Sequence, residues 1–135
     1  MKQSSMRGAM SGLGAGIVIG AVLWSLPSRY ALDCYAVGLV LIAGIYLGSA
    51  LSRLSQKDAH AFSWDAAVAA ASVVLALLGC WVRPQFLVIG YLWHGVWDVL
   101  HEMRLLRHPP TSWWPLFCLS YDWVLAAFIY VRWVR

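Results

Sequence analysis

Five apolar runs, each about as long as a helix that crosses a lipid bilayer, follow one another through nearly the whole chain, and this succession restricts the fold more than any other feature. They lie at about 9–26, 32–51, 64–82, 85–103 and 113–134. Hydrocarbon about 30 Å thick is crossed by roughly 20 predominantly apolar residues in helical form. Backbone amides and carbonyls in lipid must be bonded within the chain, so runs of this kind fold as helices. Composition agrees, since 61% of the 135 residues are hydrophobic and only 12% charged, with a mean hydropathy of +0.68. That is more apolar surface than a soluble domain needs for its core, and the surplus must face lipid. The expected fold is all-α, a single integral membrane bundle over residues 1–135 with about five transmembrane helices, the last two forming an antiparallel hairpin.

The first run follows Lys2 and Arg7, a layout that a secretory signal shares. It lacks a convincing small-x-small cleavage site and reads as a retained span ended by Pro27 and Ser28. Gly8, Gly12, Gly16 and Gly20 recur every four residues, leaving one face without side chains so that a neighbouring backbone can approach closely. That face is expected to be buried against another helix, of this chain or of a second copy or another membrane subunit. Gly44 and Gly48 repeat the spacing in the second run. Asp33 reads as a residue of a helix N-terminus, and Ser63 as a cap with Asp65 in the first turn behind it. Between them Ser52 to Ser63 is the clearly polar connection, with Arg53, Lys57, Asp58 and His60. Arg83 and Pro84 end the third run. Pro109 and Pro110 enforce a non-helical reversal between the fourth and fifth, and Pro115 suits a first helical turn.

Nine tryptophans are present, several near helix ends, as an interfacial aromatic belt requires. The formal charge of +4 is too small for a nucleic-acid surface, and the basic residues lie mainly at the edges of apolar runs, where phosphate headgroups are met. Lys2, Arg7, Arg53, Lys57, Arg104 and Arg107 fall on one side of a five-span arrangement and Arg29, Arg83, Arg132 and Arg135 on the other. The excess favours a cytoplasmic N-terminus. Cys34, Cys80 and Cys118 are widely spaced in apolar sequence and form neither a disulfide framework nor a CxxC motif.

Against this background one polar constellation stands out. His94, Asp98 and His101 occupy i, i+4 and i+7 of the fourth run and share one helical stripe; Cys118 and Asp122 are i and i+4 of the fifth. Counted from a short turn, His101 is level with Cys118, and His94 and Asp98 bracket Asp122. Ionisable groups at such depth are costly to keep and mark functional sites by default. Two imidazoles, two carboxylates and a thiol form a donor set for zinc, iron or manganese, with His94, Asp98, His101, Cys118 and Asp122 as candidate ligands. The two imidazoles stand about 10.5 Å apart along the helix, so one ion reaches both only with Asp98 between them, or two ions share Asp98.

The pattern His94-Gly95-x-Trp97-Asp98-x-x-His101, followed by Trp113-x-Pro115-x-Phe117-Cys118-x-x-Tyr121-Asp122, resembles a family of small bacterial multi-pass membrane proteins of unknown function. The resemblance covers roughly the last 45 residues. It implies a multi-pass protein of the bacterial inner membrane and singles out the same polar residues, without supplying a reaction.

Several functions compete for the cluster. In the plainest, its members are inter-helix hydrogen bonds that fix register. In a second, a bound metal generates a hydroxide or polarises a lipid carbonyl or phosphoryl group, with Asp122 or Glu102 as general base, making the chain a metal-dependent enzyme acting on a lipid or other apolar substrate. In a third, protonated carboxyls donate to an isoprenoid double bond while Trp97, Trp123 and Tyr121 stabilise the cation. Outside enzymology, the chain serves as an accessory subunit of a larger membrane complex, with His94 or His101 as axial ligand to a haem or chlorin, or conducts protons through the same residues. No Gly-x-Ser-x-Gly elbow, phosphate loop, HExxH or spaced basic-aromatic stripe is present, so serine hydrolase, nucleotide, zincin and nucleic-acid functions lack support.

Overall fold

The computed structural model describes residues 3–52, 59–103, 105 and 111–135. The polar connection after the second helix, the side chain of His60 and the Pro109–Pro110 reversal lie outside the described residues. Within them the regular elements are five helices, α1 (Gln3–Ser25), α2 (Ser28–Leu51), α3 (Ala59–Trp81), α4 (Gln85–Glu102) and α5 (Trp114–Trp133), and no strand.

Four of these helices, α1, α2, α5 and residues 62–81 of α3, are long and apolar enough to cross a membrane. The expected fifth crossing helix, α4, does not meet that standard. It has 18 residues, and His94, Asp98, His101 and Glu102 dilute its apolar character. Its neighbours compensate, because α4 packs against α5, α3 and α2 and hides eight residues, among them His94, Asp98 and His101.

The first three helices start before their apolar runs do. α1 starts six residues before the run at Ala9, and α2 starts at Ser28, where the amide of Ala31 donates to the carbonyl of Pro27 at 3.1 Å. Apolarity marks how deep a residue sits, whereas backbone hydrogen bonding continues into the headgroup zone. Asp33 is therefore in the second turn of α2 and not at its N-terminus, and Ser63 lies inside α3 and is not its cap. Pro115 does fall in the first turn of α5, as the sequence predicts.

Lipid gives helices no hydrophobic reason to associate, so close packing must supply the attraction. The buried residues of α1 are Ser5, Gly8, Gly12, Gly16 and Gly20, one unbroken stripe, and α5 lies along it. At Gly12 the approach is backbone to backbone, since a Cβ placed there would overlap the carbonyl of Phe117. The stripe is thus filled from within the chain. Gly44 and Gly48 of α2 have open space where a Cβ would stand. The far end of the α1–α5 pair is clasped by Arg132, whose guanidinium donates to the carbonyls of Leu23 at 3.0 Å and Leu26 at 2.8 Å and lies over the ring of Trp133. Leu23 lies in the last turn of α1 and Leu26 just beyond it, where the helical ladder of amide partners ends.

The apolar core joins Tyr35 and Leu39 of α2, Ala76 of α3, Leu87 and Tyr91 of α4, and Leu125 and Ile129 of α5. The Tyr91 hydroxyl is satisfied by the carbonyl of Tyr35 at 2.7 Å. Next along α4 comes a polar layer beginning at His94. Outside, Trp24, Trp64, Trp81 and Trp113 are exposed near helix ends, in keeping with an aromatic belt.

Candidate functional site

His94 and Asp98 stand one turn apart on α4, and Asp122 meets them from α5. Nδ1 of His94 lies 2.7 Å from Oδ2 of Asp122 and 3.5 Å from Oδ2 of Asp98. Asp122 thus faces both His94 and Asp98, the part of the expected matching that concerns these three residues. All three side chains are 0% exposed. One potential ligand atom from each lies within 4.8 Å of the others. The Nδ1–H of His94 donates to Oδ2 of Asp122, and the charge on the ring is set by whether Nε2 also carries a proton. That Nε2, together with Oδ2 of Asp98 and Oδ1 of Asp122, finds no hydrogen-bond partner among the described residues. Buried polar atoms are ordinarily paired, so three of them side by side make this the place among the described residues best suited to a further ligand.

A residue the sequence did not single out completes the arrangement. Tyr46 of α2 is buried, and its hydroxyl donates to Oδ1 of Asp98 at 2.7 Å, fixing that carboxylate as outer partners of metal ligands do. Nothing in the α2 run marks this tyrosine, because its role depends on which helix comes to lie beside α2. Gly95 is explained by the other flank, where a Cβ would meet the indole nitrogen of Trp123.

The other residues of the constellation lie further off. His101 is buried, but its Nδ1–H donates to the carbonyl of Trp97 at 3.1 Å and its Nε2 faces Oδ1 of Asp65 at 4.0 Å. The Tyr46 ring lies between it and the His94 group, with ring centroids 4.4 Å from His101 and 5.8 Å from His94. Cys118 is buried one turn before Asp122 and Glu102 is half-buried in the last turn of α4; neither is among the three residues whose ligand atoms converge. Trp97 is buried, whereas Trp123 is 50% exposed on the outer surface. Asp65 was legible as an acid within an apolar run, but the neighbouring Ser63 made it look like a capping residue.

Chemically, one imidazole and two carboxyl groups, that of Asp98 held by a tyrosine, form a compact carboxylate-rich donor set. A divalent cation would neutralise it, and nitrogen with oxygen donors suits zinc, manganese or non-haem iron.

No curated protein and no solved structure matches the chain. A family model does match, over residues 8–133. That stretch takes in almost the whole sequence, with Tyr46, Asp65, His94, Asp98, His101 and Asp122 inside it, and the chain accordingly belongs to DUF6010, a family of unknown function.

Proposed function

We propose that this chain is a multi-pass membrane protein that binds one divalent metal ion, zinc, iron or manganese, through His94, Asp98 and Asp122, and uses it on a lipid or other apolar substrate. The observation that carries this is the convergence of three ligand atoms within 4.8 Å, all from side chains that are 0% exposed. Two carboxyl groups outnumber the one imidazole in a low-dielectric interior, and a divalent ion would hold both of them in the ionised form. On this reading α4 and α5 run antiparallel as a hairpin, and the N-terminus lies in the cytoplasm of a bacterial cell. His94, Asp98 and Asp122 hold the ion, Tyr46 orients Asp98, and the surrounding apolar helices exclude water. A bound ion would supply Lewis-acid polarisation of a carbonyl or phosphoryl oxygen.

Complete enclosure favours a second reading, in which the group only ties α2, α4 and α5 together by hydrogen bonds. Metal analysis of detergent-purified protein separates the two. Stoichiometric zinc, iron or manganese, absent from both His94→Ala and Asp122→Ala, supports the metal. No metal in the parent protein, with both variants folded but less stable, overturns it in favour of the structural tie. A visible absorption band in the purified protein would move the ligand class to haem or chlorin.

A further inference from the structure

The His94 group is sealed on all sides, so an ion that resides there must have a way in. Ionisable side chains continue from it in one direction. Tyr46 binds Asp98 through its hydroxyl and places its ring over His101. His101, 2% exposed, faces Asp65 on α3, and Asp65, at 8%, lies two turns from the start of that helix. The chain of groups thus runs from the interior toward the end of the bundle where α2 finishes and α3 begins.

The His101–Asp65 pair has the attributes of a cation site in its own right. The Nδ1–H of His101 is committed to the Trp97 carbonyl at 3.1 Å, which turns the Nε2 lone pair toward Asp65. A backbone carbonyl on one ring nitrogen is how metal-binding histidines are usually oriented. The Nε2–Oδ1 separation of 4.0 Å is too long for a hydrogen bond. It is also within reach of one ion bridging both atoms, given metal–ligand bonds of about 2.1 Å.

We propose that His101 and Asp65 form an outer cation station, through which a divalent metal ion passes the Tyr46 ring to reach His94, Asp98 and Asp122. This rests on the metal reading above and adds a second site and a route to it. Asp65 has no part in the inner group, and His101 enters as a transit ligand.

The test is the rate at which chelator-stripped protein in detergent takes up cobalt(II), followed by the visible absorption of the bound ion. Asp65→Asn and His101→Gln are expected to fill to the same final level as the parent chain but at least ~10-fold more slowly, the scale of effect seen when partners of metal sites are removed. Asp33→Asn, at the opposite end of α2, is expected to load at the parent rate. Circular dichroism and gel filtration identify any variant that fails to fold, and either station variant suffices. Unchanged loading in a folded Asp65→Asn or His101→Gln overturns the outer station while leaving the inner site standing. A parent protein that takes up no cobalt overturns the inner site and the route together.

Discussion

The hydroxyl of Tyr46 donates to Oδ1 of Asp98 at 2.7 Å, joining α2 to the helix that carries most of the polar groups. Tyr46→Phe keeps the ring and removes that donor. It is expected to lower metal affinity by ~10-fold or more and to cost about 1–3 kcal/mol of stability through a buried acceptor left unpaired. Chelator competition and thermal unfolding in detergent read the two effects separately. Unchanged affinity would mean that Asp98 is held without the tyrosine.

If an ion joins His94, Asp98 and Asp122, its removal destabilises the fold. Free metal at 100 times its dissociation constant contributes about 2.7 kcal/mol, so a chelator should lower the Tm of the parent protein. In His94→Ala and Asp122→Ala the chelator is expected to change nothing further. A chelator-induced drop of equal size in those variants would place the stabilising ion elsewhere.

The contact between α1 and α5 makes a different demand. At Gly12 an added Cβ runs into the backbone of Phe117, which cannot step aside as a side chain end can. Gly12→Ala is expected to cost about 1–3 kcal/mol. Gly44→Ala, in open space, is expected to be neutral or to stabilise by up to about 1 kcal/mol through helix propensity. Unfolding in mixed detergent–SDS micelles provides the comparison, and equal effects at both positions would contradict the packing described.

Arg132 joins α5 to the last carbonyls of α1 through bonds of 3.0 and 2.8 Å. Arg132→Gln removes the charge and the forked geometry, with an expected loss of roughly 2 kcal/mol for charge-assisted bonds of this kind. The elbow at Leu26 to Ser28 should then be cut faster by protease. Cleavage at the parent rate would show that the α1–α5 glycine contact alone holds that end.

The all-helical character and most helix limits were legible because apolar run length is a one-dimensional property, read without knowing any neighbour. The facing of His94 and Asp98 toward Asp122 followed from helical spacing and a short connection. The same reasoning counted α4 with the crossing helices, whereas its polar residues leave four of the five helices long and apolar enough to cross a membrane. It also placed the start of α3 too late, because Ser63 and Asp65 resemble a cap when only local sequence is considered.

What the sequence alone determined is therefore the material of the site: apolar helices, a glycine stripe on α1, and polar residues on one stripe of α4 and one face of α5. Tertiary structure decided which of these meet. It seated α5 on the glycine stripe, brought Tyr46 from α2 onto Asp98, paired His101 with Asp65 of α3, and left Cys118 and Glu102 outside the convergent group. The physical reason is that helical periodicity fixes the direction of a side chain relative to its own axis. Contact between residues 52 positions apart, such as Tyr46 and Asp98, depends on the order in which helices pack around one another, and no single helix encodes that order.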